Sequence, residues 1–126
     1  MTITIKFTDN IPHKYNSFED ILKLNDYNDI IYIYCHNNYL SSLPELPNSL
    51  KYLYCSHNNL SILPQLPYSL KKLFCSDNSL SSLPKLPNSL IYLYCSRNNL
   101  SILPELPNSL TSLHPWKFKM NVFIYF

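Results

Sequence analysis

Residues 50–69 read LKYLYCSHNNLSILPQLPYS, and nearly the same twenty residues return from Leu70 and again from Leu90. Aligned on the Leu-Pro pairs, full units run over 30–49, 50–69, 70–89 and 90–109, and a partial fifth starts at Leu110 and breaks at His114-Pro115. The common pattern is L-x-x-L-x-C-x-x-N-x-L-x-x-L-P-x-L-P-x-S. SSLP alternates with SILP from unit to unit, as expected from duplication of a two-unit block. A fixed period of this kind has to be read before any local propensity, because each unit is one supersecondary element that buries its apolar face only against its neighbours.

The front of a unit, YLYCS at 52–56, alternates with period two. Leu53 and Cys55 fall on one face, and Tyr52, Tyr54 and Ser56 on the other, which predicts a short strand. The back half, LPQLP, has prolines three residues apart and cannot be helix interior, so extended, polyproline-like or turn structure is expected there. A strand plus an extended return makes one coil of a solenoid. Stacked coils align the strands in a parallel sheet, with leucines from both halves filling the interior.

These residues resemble the leucine-rich repeat family, with Cys in a slot that family usually fills with Leu, Val or Ile. The twenty-residue length and the LPxLPxSL back half are similar to the short bacterial class found in effectors secreted by enteric pathogens. The chain has no Gly or Ala and its one Arg is Arg97; this amino-acid bias, of the kind an AT-rich genome gives, also resembles leucine-rich repeat proteins of giant DNA viruses of amoebae. The resemblance covers about residues 30–113. It implies a right-handed solenoid with about five parallel strands on the concave face, proline-rich segments on the convex face, and little helix. It also implies that Asn38, Asn58, Asn78 and Asn98 hydrogen-bond backbone groups of adjacent turns. Effector ubiquitin ligases of that class carry a separate catalytic domain after their repeats; this chain stops, so ligase activity is not expected to carry over.

Flanking segments are expected to cover the ends. Residues 1–29 are read as a cap: a strand over MTITIKFT, then a helix over FEDILKL opened by Ser17, with Asp20 in the capping-box position. In residues 114–126, Trp116, Phe118, Met120 and Val122 alternate with polar residues. This is either a closing strand or a strand that pairs with another chain and so makes a homo-oligomer.

At 126 residues, nearly half of them hydrophobic, one domain with a packed core is expected. A net charge of +2 without basic tracts argues against nucleic acid, and the apolar runs are too short to cross a membrane. The N-terminus does not read as a secretory signal, so an intracellular setting with reduced thiols is expected. Cys35, Cys55, Cys75 and Cys95 fall in one inward column beside Ile33, Leu53, Leu73 and Leu93. Thiols in parallel register suit packing, not disulfides or a zinc site, and no cofactor or metal is called for.

Function is expected on the outward positions. One row reads Tyr34, Tyr54, Phe74, Tyr94, its neighbour Tyr32, Tyr52, Lys72, Tyr92, and a third Asn37, His57, Asp77, Arg97, with cross-strand pairing at His57–Asp77 and Asp77–Arg97. Lys51, Lys71 and Lys72 form a basic patch at the near edge. Cross-strand aromatic pairs can simply stabilise a sheet, but so many tyrosines on one exposed face exceed that need, and tyrosine is a common interface anchor. Ser56, His57 and Asp77 do not make a hydrolase triad: the first two are consecutive, and no oxyanion pocket is legible. The expectation is a non-enzymatic module that binds a protein partner through Tyr32, Tyr34, Tyr52, Tyr54, Lys72, Phe74, Tyr92, Tyr94, His57, Asp77 and Arg97. A self-associating repeat or a relic without a partner are the alternatives.

Overall fold

A computed structural model describes residues 1–114. The closing strand, and the homo-oligomer contact that would use it, were expected within 114–126, and all of that segment after His114 lies outside the described residues. Five three-residue strands, one per coil, form the repeat sheet: β3 Tyr32–Tyr34, β4 Tyr52–Tyr54, β5 Lys72–Phe74, β6 Tyr92–Tyr94 and β7 Ser112–His114. They pair in parallel in strict twenty-residue register, so that Ile33, Leu53, Leu73, Leu93 and Leu113 lie side by side. The chain folds as the expected leucine-rich repeat solenoid.

Each coil is closed by the same local chemistry. After the strand the chain turns through a left-handed residue, Asn37, His57, Asp77 or Arg97, with φ between 52 and 55°. A chain without glycine fills these positions with side-chain-bearing residues. Asn, Asp and His enter this region most readily, whereas Arg97 holds it at a cost of about 1 kcal/mol. The proline-rich return then carries its leucines inward: Leu46, Leu63, Leu66, Leu83 and Leu86 are buried. A tight turn ends the return, with the Leu70 N–H donating to the Pro67 carbonyl at 3.1 Å and equivalents at Leu50, Leu90 and Leu110. The serine closing each unit ties the end of the coil to its start: the Ser69, Ser89 and Ser109 hydroxyls donate to the carbonyls of Leu50, Leu70 and Leu90, the first residue of the same unit, at 2.6–2.7 Å.

The asparagines join successive coils from inside. Asn58 donates from Nδ2 to the Cys35 and Cys55 carbonyls, both at 3.0 Å, and its Oδ1 accepts from the N–H groups of Asn38 and Leu40 at 3.0 and 2.9 Å. Asn78 and Asn98 repeat both donations, to the Cys55 and Cys75 and to the Cys75 and Cys95 carbonyls, and accept one bond each, from the Leu60 and Leu80 N–H groups. Only a side chain with both donor and acceptor can satisfy these backbone groups at once. Asn38, in the first unit, instead clamps both backbone groups of Thr2.

That clamp belongs to the N-terminal end of the sheet. Strand β1 (Ile3–Lys6) pairs antiparallel with β3 and puts Ile3 and Ile5 into the core. A second strand, β2 (Pro12–Tyr15), pairs antiparallel with the outer side of β1 and was not expected from the sequence. Helix α1 spans Phe18–Leu22, shorter than the FEDILKL segment. Ser17 caps it, accepting from the Asp20 N–H at 3.3 Å, and Ile21 is fully buried. The sheet order is therefore β2-β1-β3-β4-β5-β6-β7. No helix among the described residues is long and apolar enough to cross a membrane.

Candidate functional site

The inward and outward faces of this sheet differ in chemistry. Inward, all four thiols are free and buried among leucines. Burial pushes Cys35 and Cys95 up to about 12, and Cys55 and Cys75 well above the usual thiol range, in each case chiefly by desolvating the thiolate. A thiolate is the reactive form, so these cysteines are inert at neutral pH. The native protein is expected to give no fast labelling by iodoacetamide at pH 7.5, and four equivalents once unfolded in guanidinium. Rapid labelling of a single cysteine in the native state would contradict the packing assignment.

Outward, the first row stacks progressively. Tyr34 and Tyr54 are tilted, with ring centroids 6.0 Å apart. Tyr54–Phe74, Phe74–Tyr94 and Tyr94–His114 then stack at 4.6, 4.4 and 4.2 Å, with interplanar angles of 10–16°. The separations match the inter-strand spacing of the sheet, which holds the rings face to face. The second row is mixed: Tyr32 and Tyr52 are 6.4 Å apart, and Lys72 Nζ sits between the rings of Tyr52 and Tyr92, at 5.8 and 4.7 Å. Burial raises the Tyr32 hydroxyl above the usual phenol range, with Tyr54 and Tyr34 adding to it. In the third row Asp77 accepts from Arg97 at 2.9 Å and lies 3.5 Å from His57 Nε2, while the His57 ring meets His36 edge-on at 4.8 Å. Each residue expected on this face is therefore in register with its equivalents, and His57, Asp77 and Arg97 form one cross-strand cluster.

Two further residues join the rows. His114 extends the stack of rings; it stands twenty residues after Tyr94, so the repeat spacing alone could have found it. Lys6 lies opposite Tyr32 in the β1–β3 register and places Nζ 5.1 Å from its ring. Nothing in the repeat points to Lys6, because β1 lies outside it. Among the described residues, no group of three or more His, Cys, Asp or Glu side chains is placed to hold a metal ion.

A family model described as Leucine Rich Repeat matches residues 49–68 and 89–113. Among solved structures, the leucine-rich repeat domain of a Shigella effector is 35% identical, with a TM-score of 0.62 over 68% of this chain and 48% of that one. YopM from Yersinia enterocolitica WA-314 is 36% identical, with a TM-score of 0.60 over 68% of this chain and 24% of that one. YopM from Yersinia pestis, a leucine-rich effector protein, is 49% identical, with a TM-score of 0.60 over 63% of this chain and 22% of that one. The family model and these neighbours, all bacterial effector proteins, support a bacterial-type leucine-rich repeat family. This leucine-rich repeat chain spans about half the length of the Shigella domain and about a quarter of the YopM chains. A search of curated protein sequences gave no significant match. Leucine-rich repeat solenoids are interaction scaffolds in general, since a regular sheet face presents side chains at fixed spacing to a protein partner.

Proposed function

We propose that this leucine-rich repeat chain is a non-enzymatic protein-binding module whose contact surface is the aromatic outer face of the sheet. By its likeness to bacterial effectors, the partner is an intracellular host protein. The observation that carries this reading is the run of rings from Tyr34 to His114, every one on the solvent side of the sheet and Tyr34 more than a third exposed. Held by their neighbours, these rings lose little side-chain entropy on binding and offer large contact areas with polar tips. The left-handed row adds support. Arg97 occupies a strained position that Asn would fill more cheaply, and strain tolerated at an exposed side chain is a mark of use.

Stability does not depend on the same groups. The core lies on the opposite face, so Tyr34→Ser/Tyr54→Ser/Tyr94→Ser is expected to leave the protein cooperatively folded, at a cost of about 1–2 kcal/mol in lost cross-strand contacts. The same variant is expected to lose partner capture from host cytosol by at least tenfold, read by quantitative mass spectrometry of paired pull-downs. Equal capture by the two proteins, with circular dichroism confirming both folds, would remove the binding role from this face.

A further inference from the structure

At its N-terminal end the aromatic face opens into a hollow of about 260 Å³ lined by Lys6, Asn10, Tyr32, Tyr52, Tyr54 and Lys72. Both lysines lie against rings, Lys6 on Tyr32 and Lys72 between Tyr52 and Tyr92, which keeps their ammonium groups above the sheet at either side of the Tyr32–Tyr52 pair. Neither forms an ion pair among the described residues. No carboxylate among the described residues lines the hollow, Asp26 and Asp29 of the short helical turn before the first repeat strand included. Glu19 and Asp20 pair with Lys23 on α1, Asp9 accepts from the Ile11 N–H in the β1–β2 turn, and Glu45 and Glu105 belong to the proline-rich returns. Asp77, the acid of the aromatic face, is already held by Arg97. Lys51 and Lys71 stand in the two coils after Ile31, one place before the strands, and extend the positive field along the same edge.

We infer that this hollow is the part of the binding face that recognises an acidic, extended segment of the partner protein, with one carboxylate on Lys6, one on Lys72 and an apolar or aromatic residue on the tyrosine pair between them. The inference rests on the proposed role of the aromatic face. Spacing supports a chain over a single anion. Lys6 and Lys72 lie on β1 and β5, three strand steps or about 14 Å apart, and an extended peptide covers that in about four residues. Cations without carboxylate partners, held over an aromatic floor, have already spent side-chain freedom and are only partly desolvated, which favours charge-assisted contacts.

Selection of displayed random 12-residue peptides on the full chain tests this. Enriched peptides are expected to carry two acidic residues about four positions apart. Enrichment is expected to fall at least tenfold on Lys6→Gln/Lys72→Gln, to persist on Lys6→Arg/Lys72→Arg, and to vanish on Tyr32→Ser/Tyr52→Ser. Peptides without acidic residues that need the tyrosines but not the lysines would overturn the acidic site and leave the binding face standing. Peptides retained by both the glutamine and the serine variants would overturn both, and so would the absence of any enriched peptide. Full displacement of a selected peptide by millimolar inorganic phosphate but not by glutamate would reassign the hollow to phosphate and overturn the inference.

Discussion

Asn58→Leu is expected to destabilise the protein by about 3–5 kcal/mol, the largest effect of any single polar substitution in the chain. Asn58 is the buried polar residue among the described ones, 7% exposed, and its amide serves two coils at once. Leucine of similar size keeps the volume but leaves the Cys35 carbonyl and the Asn38 and Leu40 N–H groups without partners, while the Cys55 carbonyl keeps only its bond from Asn78 Nδ2. Each buried backbone group stranded in this way costs about 1 kcal/mol or more. A domain of this size has only about 5–15 kcal/mol in total, so the change is visible directly in urea unfolding. Asn38→Leu, which strands only the two Thr2 backbone groups at an exposed end, is expected to cost about 1–2 kcal/mol by the same reasoning. Equal effects at the two positions would mean that the asparagines do not act through these bonds.

Leu73→Ala is expected to cost about 3 kcal/mol, read as a fall in urea midpoint. Leu73 is fully buried in the middle strand of the repeat sheet, with Leu53 and Leu93 beside it in register. A solenoid coil contacts only its neighbours, so a cavity at a central coil weakens two interfaces at once. Leu113, in the last described strand, is only half-buried and has Leu93 on one side. Leu113→Ala is therefore expected to cost about 1 kcal/mol. If Leu113→Ala proved as costly as Leu73→Ala, the nearest-neighbour picture of this solenoid would be wrong.

Some of this architecture could be read from the repeat and some could not, for physical reasons. A twenty-residue period with Leu and Cys at alternating positions admits one stacking register. The parallel sheet, the inward thiols and the outward rows at Tyr34, Tyr54, Phe74 and Tyr94 follow from it. Strand β2 was hidden because Pro12, His13 and Lys14 are exposed and carry no apolar alternation; backbone pairing with β1 makes that strand, not side-chain pattern. The left-handed row was hidden for a different reason: glycine, the usual marker of such turns, is absent from the chain, and the conformation falls on Asn37, His57, Asp77 and Arg97 instead. Lys6 joins the candidate site only because β1 runs antiparallel to β3. No local signal in the first thirty residues specifies that direction, since it depends on the Asn38–Thr2 clamp and on the exposed flank of the first coil.

The candidate site combines these two kinds of information. The repeat sets the ring spacing, while the non-repeating residues Lys6, Lys72, His57, Asp77 and Arg97 give each coil a different surface. A pure ladder would be chemically uniform along its length. This one is cationic at Lys6 and Lys72 and charge-neutralised around Asp77, a polarity that would orient a partner chain bound as proposed.

Photo-crosslinking by position tests the central claim most directly. A benzophenone-bearing amino acid is placed either at Phe74, mid-ladder, or at Tyr68, which is 85% exposed on the proline-rich side, and each protein is irradiated with the captured partner. A covalent adduct at Phe74 and none at Tyr68 is the predicted result. An adduct at Tyr68 alone would place binding on the opposite side of the solenoid and contradict the account.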